Sequence, residues 1–237
     1  MHKTLKVLSL LLSYPDSELQ GAMPELKQAL VEESWLKPRE RALVERLAGN
    51  IAATDLYDAQ ERYVLLFDRT RTLSLHLFEH VHGESRDRGQ AMVDLMGMYE
   101  ADGFELDAKE LPDYLPMFLE YLSMKPVQEA RELLGQTGHI ITALKERLRK
   151  RKSVYLNAFI ALEAMAKGKP DAGLLKQLLA QPEDDPLDLE ALDEIWEEEV
   201  VTFGGNTGEN ACGPDRLQRQ IRAHQRKPAA PSTGQSM

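Results

Sequence analysis

Apolar residues recur through most of the chain at intervals of three and four, which is the spacing of one face of an α-helix. The first set, Leu5, Leu8 and Leu12, ends just before Pro15, a residue that stops a helix. Similar sets follow one another along the chain, with glycines, prolines and capping residues between them. The pattern predicts an all-α fold, a single helical bundle of about ten helices.

Capping residues and helix breakers set the expected ends of these helices. Asp55 is expected to cap one helix and Asp113 another, in whose first turn Pro116 falls. A helix that ends at Gly103 is predicted to bury four residues: Met92, Leu95, Met96 and Tyr99. Later helices are predicted at residues 127–135, 138–151, 153–167, 171–180 and 187–200.

The C-terminal part of the chain differs in composition. From Gly204 onward, glycine, proline, serine and other polar residues dominate. Such a segment cannot bury enough apolar area to order itself. The chain is therefore predicted to consist of a helical domain at residues 1–203 and a flexible, mobile polar tail at residues 204–237.

The chain is acidic, with 39 Asp and Glu against 29 Lys and Arg and a formal net charge of -10. Such a surface repels phosphate backbones and attracts basic segments, so no nucleic-acid partner is expected. The basic run at residues 145–152 lies in a predicted helix without interleaved aromatic residues, which favours a solvated helix face. Residues 183–199 hold ten acidic residues and an apolar stripe, which fits a solvated terminal helix or a dock for a basic peptide.

The sequence indicates neither export nor a membrane anchor. Cys212 is the single cysteine, so no intrachain disulfide can form, as in reducing compartments. The apolar run at residues 7–12 is short for a signal peptide and no cleavage site follows it. No stretch approaches the roughly 20 apolar residues of a membrane span. A cytoplasmic protein without stable membrane insertion is expected.

The densest polar cluster runs from His76 to Gly89. His76 and His80 would share a helix face, and with Glu79 they are a candidate metal site of a metal-dependent hydrolase. The order is not His-Glu-x-x-His and no third ligand stands out downstream, so local hydrogen bonding near a helix end is favoured. The chain also has no glycine-rich phosphate loop, nucleophile elbow or paired cysteines, which leaves no specific enzyme hypothesis.

Residues 63–122 carry three motifs of a known family. They are Tyr63-Val-Leu-Leu-Phe67, Phe78-Glu-His-Val-His-Gly-Glu-Ser-Arg-Asp-Arg-Gly89 and Glu110-Leu-Pro-Asp-Tyr-Leu-Pro116. The sequence resembles the nitrate reductase molybdenum-cofactor assembly chaperones (the NarJ or delta-subunit group), among the redox-enzyme maturation chaperones related to TorD and DmsD. The first and third motifs occur in looser form across the wider group, whereas the second is typical of the nitrate reductase branch.

The resemblance implies an all-helical protein that is not an enzyme, has no cofactor of its own and is not a subunit of the final enzyme. The expected partner is the catalytic (alpha) subunit of a membrane-bound respiratory nitrate reductase, bound in its apo form through a basic N-terminal segment. Binding would hold that subunit for molybdenum-cofactor insertion and would delay its membrane docking. Molybdenum-cofactor insertion proteins are expected as further partners.

A basic amphipathic segment binds best in an apolar trough with acidic edges. On the resemblance, the expected contact residues lie in and around the three motifs: Tyr63, Phe67, Leu75, Phe78, Glu79, His80, His82, Glu84, Arg86, Asp87, Arg88, Pro112, Asp113, Leu115, Pro116, Leu119 and Glu120. The apolar members would form the trough, and its edges would be Glu79, Glu84, Asp87, Asp113 and Glu120. Each of these apolar residues could instead belong to the core. Periodicity alone does not distinguish a residue that lines a groove from one that is buried in the core.

Overall fold

The computed structural model describes residues 1–33, 35–82, 86–104, 106 and 110–183. Within these residues the chain forms twelve α-helices and no β-strand, which confirms the predicted all-α class. The helices are α1 (Lys3–Leu11), α2 (Ser17–Gly21), α3 (Met23–Glu32), α4 (Pro38–Ala53), α5 (Leu56–Tyr63), α6 (Leu77–His82), α7 (Arg86–Ala101), α8 (Leu115–Met124), α9 (Val127–Gln136), α10 (Gly138–Lys150), α11 (Leu156–Met165) and α12 (Ala172–Ala180). The predicted helix at 187–200, the polar tail at 204–237 and Cys212 lie outside the described residues.

Helix α1 occupies a central place in the core. It packs along α8 and also contacts α3 and α4, while a second set of contacts joins α11 to α4 and α10. Leu5, Leu8 and Leu11 on α1 are fully buried. Each buried leucine side chain contributes about 1.5–3 kcal/mol, so this one face stabilises the bundle substantially. The apolar run near the N-terminus is a core helix, as its periodicity predicts.

The helix that carries the first motif changes its winding part of the way along. Helix α5 ends at Tyr63, and a π-helical turn, Val64–Asp68, continues it. The wider turn accompanies burial of two adjacent side chains, Leu66 and Phe67. Periodicity predicts a regular helix through Phe67, because one extra residue in a turn hardly changes the apolar spacing.

The basic run in α10 is a solvated face only in part: Arg149, Lys150 and Lys152 are exposed, whereas Lys145 and Arg147 are buried. Lys145 is 8% exposed and pairs with Glu163 on α11 at 2.6 Å. Arg147 is 1% exposed, and its guanidinium donates to the carbonyls of Thr72 and Leu178. Long aliphatic stems allow both side chains to cross the helix surface and reach partners on neighbouring elements. Part of the run therefore serves the fold.

Helix α7 lies on the surface of the bundle. Of its described side chains, Tyr99 alone is buried, while Leu95 and Met98 pack partly buried against the core. The prediction that Met96 points inward is wrong, because this side chain is 41% exposed. Apolar residues occur on more than one side of α7, so the pattern does not define a single buried face.

The longest described helices, α4 and α7, have 16 residues each. Across the described ranges, no helix combines the length and the apolar composition that crossing a bilayer requires.

Candidate functional site

Two segments that are distant in sequence meet at the middle of the predicted site. The residues before α6 run antiparallel to those before α8, with an isolated β-bridge between His76 and Tyr114. The Leu77 N–H also donates to the Asp113 carbonyl at 3.0 Å. This short pairing holds the second motif beside the third.

The Asp113 side chain anchors this junction. Its carboxylate is fully buried, accepts the Phe78 N–H at 2.9 Å and lies 3.3 Å from His76 Nδ1. Phe78 is in the first turn of α6, so the carboxylate satisfies an N–H that has no partner within the helix and faces the positive end of its dipole. Helix α8 begins after Tyr114 without a side-chain cap. Asp113 is therefore a buried cap of α6, and not the accessible edge or the cap of α8 that the sequence suggests.

His76 is held in a position that favours its charged form. The hydrogen bond to Asp113 raises the pKa of His76, and burial acts in the opposite direction. The imidazole is 25% exposed and its ring centre lies 5.4 Å from that of Tyr114. Folding is therefore linked to protonation of this histidine.

Replacing His76 with asparagine should remove a pH-dependent part of the stability. The folded pKa lies above the unfolded value of about 6.5, so the interaction contributes fully below about pH 6.5 and is lost as pH rises through the folded pKa. We expect the wild type to exceed His76→Asn by about 1 kcal/mol in free energy of unfolding near pH 6. Urea titrations across pH measure this difference, which should shrink toward alkaline pH. A constant difference would contradict the linkage to His76.

His80 has a local structural role. It is 8% exposed, and its Nε2 donates to the Ser74 carbonyl at 2.8 Å. Burial lowers the pKa of His80, which favours the neutral ring. Throughout the part of the chain that the structure describes, no group of three His, Cys, Asp or Glu side chains is arranged to hold a metal ion. His80 therefore makes the kind of local hydrogen bond that the sequence favours, whereas His76 bonds to Asp113, 37 residues away.

Tyr63 ties the first motif to the third. Its hydroxyl donates to the Leu12 carbonyl at 3.0 Å. A carbonyl can only accept, so the Tyr114 hydroxyl donates to the Tyr63 oxygen across 2.7 Å. Burial raises the pKa of both phenols, that of Tyr114 to about 12, and both stay protonated at neutral pH. The Phe67 ring meets Tyr63 edge-on at 5.0 Å, so this wall of the site is a packed aromatic cluster.

The predicted apolar trough is filled by the protein itself. Phe78 is partly buried against the core. The other five predicted apolar side chains of the trough are at most 4% exposed: Tyr63, Phe67, Leu75, Leu115 and Leu119. Pro112 and Pro116 are buried as well. In this conformation these residues belong to the core, because the helices that carry them pack against the rest of the bundle. A partner can reach them only if the bundle opens.

The charged residues of the predicted site are more accessible than the apolar ones. Glu79 on α6 pairs with Arg88 on α7 at 3.1 Å, and both side chains are partly exposed. Asp87 is exposed, and Glu120 is partly exposed beside Lys6, with which it pairs. Three predicted contacts lie outside the described residues, namely Glu84 and the side chains of His82 and Arg86.

The outer face of α7 was not among the predicted contacts, and the structure leaves it open to solvent. Val93 is 62% exposed, close in sequence to the exposed Met96. A signal for this face is present in the sequence. Five apolar residues occur within seven positions, which is more than one buried stripe requires: Met92, Val93, Leu95, Met96 and Met98.

Known proteins share most of this chain. Residues 14–161 match the sequence profile of the family described as nitrate reductase delta subunit. The chain is 41% identical over 223 residues to the nitrate reductase molybdenum cofactor assembly chaperone NarJ of Escherichia coli (strain K12), covering 94% of this chain and 91% of that protein.

Two further relatives are named as probable chaperones of the same kind. NarW of Escherichia coli (strain K12) is 43% identical over 200 residues, covering 84% of this chain and 83% of the relative. NarJ of Bacillus subtilis (strain 168) is 34% identical over 155 residues, covering 64% of this chain and 82% of the relative. The chain therefore belongs to the nitrate reductase delta-subunit family, whose relatives named here are molybdenum cofactor assembly chaperones.

Proposed function

We propose that the chain is a system-specific chaperone of a membrane-bound respiratory nitrate reductase. It binds the N-terminal segment of the apo catalytic subunit, holds that subunit for molybdenum-cofactor insertion and delays its docking to the membrane. It acts in the cytoplasm as a binding protein, not as an enzyme. The observation that carries the proposal is the 41% identity, across 94% of the chain, to a relative named as a cofactor assembly chaperone.

The distribution of charge supports a basic partner segment. The chain carries a net charge of -10. Exposed carboxylates lie on α7 at Asp87, Asp94 and Glu100, and near the junction of the motifs at Asp68 and Glu110. Burial raises the pKa of Asp68, and the nearby Glu110 adds to this while His76 opposes it. Such a surface speeds association with a basic segment and makes the affinity fall with salt.

Capture from cells tests the proposed function directly. The tagged full-length chain, expressed in a host that respires nitrate, should recover the apo catalytic subunit, as identified by mass spectrometry. Deleting the N-terminal segment of that subunit should reduce recovery about ten-fold or more, because a single docked segment supplies most of the binding energy in this mode.

The two parts of the proposal can fail separately. Equal recovery of the intact and the truncated catalytic subunit would overturn binding through the N-terminal segment. Absence of the catalytic subunit from the captured proteins, in cells that contain its apo form, would overturn the chaperone function itself.

A further inference from the structure

The outer face of α7 carries an apolar strip that is open to solvent. At about 100° per residue, Gly89, Val93, Met96 and Gly97 fall on one side of the helix. The side chains of Val93 and Met96 are 62% and 41% exposed. We call these four residues the α7 strip. Apolar side chains grouped at the surface in this way mark contact sites more often than isolated ones do.

The α7 strip is not the side by which the helix is attached to the bundle. The opposite side holds Leu95 and Tyr99, which pack against the core. The Tyr99 hydroxyl donates to the Pro112 carbonyl at 2.9 Å, and near the other end Arg88 pairs with Glu79 at 3.1 Å. These contacts attach α7 to the bundle by the side that faces away from the strip.

The shape of the α7 strip suits a second helix. A Cβ atom added at Gly89 or Gly97 would meet nothing within 4 Å, so the surface at both ends of the strip is open. Helices pack about 8–10 Å apart when small residues and adaptable side chains lie at the contact. Met96 supplies such an adaptable side chain, since its unbranched thioether can follow the shape of a partner.

The acidic residues near the α7 strip favour a partner helix that carries basic residues. Glu100 lies one turn beyond Met96 on the same side of α7 as the strip, Asp94 lies next to that side, and Asp87 lies farther round the helix; all three carboxylates are exposed. Gln90 donates to Asp94 at 2.8 Å, and among the described residues no lysine or arginine pairs with Asp87 or Glu100. A second copy of this chain would bring like charges together at the same contact, which is unfavourable. A helix with lysines or arginines beside its apolar face would instead be complementary.

We propose that the α7 strip is the docking surface for one amphipathic helix with basic flanks. This inference rests on the proposed function, under which the helix is the N-terminal segment of the apo catalytic subunit. The helix places its apolar side chains on Val93 and Met96 and its basic side chains beside Asp94 and Glu100. Tyr99, whose ring centre lies 4.6 Å from that of Tyr121 on α8, then supports the strip from the core side without contacting the partner.

Calorimetry with matched variants tests the α7 strip. The full-length chain is titrated with a synthetic peptide that spans the N-terminal segment of the catalytic subunit. Val93→Glu and Met96→Glu should each weaken binding about 30-fold, because each places a carboxylate in the apolar contact. Val31→Glu and Met124→Glu are matched controls at other helices, with side chains that are 56% and 50% exposed, and should bind like the wild type.

A second pair of changes tests the flank without touching the apolar residues. The double variant Asp94→Lys with Glu100→Lys should weaken binding about ten-fold at low salt and reduce its salt dependence. Circular dichroism should show unchanged helix content and melting for every variant, because all the substituted side chains are exposed. The flank variant tests the surface independently if a glutamate in the strip disturbs α7.

Three results would overturn the inference, and they differ in what they leave standing. If the wild type binds the peptide and the strip and flank variants bind equally well, the docking surface is elsewhere and the proposed function survives. If the wild type does not bind the peptide, the N-terminal mode of the proposed function fails too. If sedimentation shows a wild-type dimer that Val93→Glu dissociates, the α7 strip belongs to a contact between copies of this chain.

Discussion

Replacing Asp113 with alanine is expected to lower the free energy of unfolding by about 3 kcal/mol, although the residue lies within the predicted binding region. The change removes the buried acceptor of the Phe78 N–H at 2.9 Å and the partner of His76 at 3.3 Å. Helix α6 then loses its cap, and an N–H is left without an acceptor. Thermal unfolding followed by circular dichroism should show a melting temperature lower by about 6–12 °C.

Two control variants show which property of Asp113 matters. Asp113→Asn keeps an oxygen that can accept the Phe78 N–H but removes the charge, so about half of the stability should return. Asp87→Ala removes an exposed carboxylate from α7 and should change the free energy of unfolding by less than about 0.5 kcal/mol. Similar melting temperatures for Asp113→Ala and Asp87→Ala would show that Asp113 does not hold the junction.

A loss of similar size is expected when Arg147 is replaced with methionine. The guanidinium donates to the carbonyls of Thr72 and Leu178, which belong to the turn before α6 and to α12. Methionine fills much of the same volume but cannot donate a hydrogen bond, so the two carbonyls lose this donor. We expect a loss of about 3 kcal/mol in free energy of unfolding, measured by urea titration.

The neighbouring arginine provides the control for Arg147. Arg149→Met removes the same charge two positions away, from a side chain that is 50% exposed and pairs with Glu146. Its effect should stay below about 0.5 kcal/mol. Arg147→Lys should recover part of the stability, because a single ammonium can reach one carbonyl but not bridge both. If the two methionine variants were equally stable, Arg147 would not join α10 to its neighbours.

The fold class follows from the sequence because the spacing of apolar residues is a local property. The set of Leu5, Leu8 and Leu12 predicts α1, and all three side chains are buried. The same spacing predicts α10 from Gly138, where the structure begins that helix. Such patterns need no knowledge of which other helix each face will meet.

The accessibility of the site does not follow from the sequence in the same way. Leu115 and Leu119 have the spacing of an apolar face, whether that face meets α1 or a partner. Asp113 looks like the cap of the helix that follows it, and its actual role depends on a contact with Phe78, 35 residues away. Arg147 likewise finds its acceptors on other elements. Tertiary contacts decide these roles, and a single sequence does not display them.

Substitutions on the two sides of helix α7 are expected to have different effects. Leu95 and Tyr99 face the core, so changes there alter whether the protein folds. Val93 and Met96 face outward, so changes there cost little stability and alter what the surface attracts. Under the docking proposed for the α7 strip, a substitution at Val93 or Met96 would change which helix the chain binds while the bundle keeps its fold.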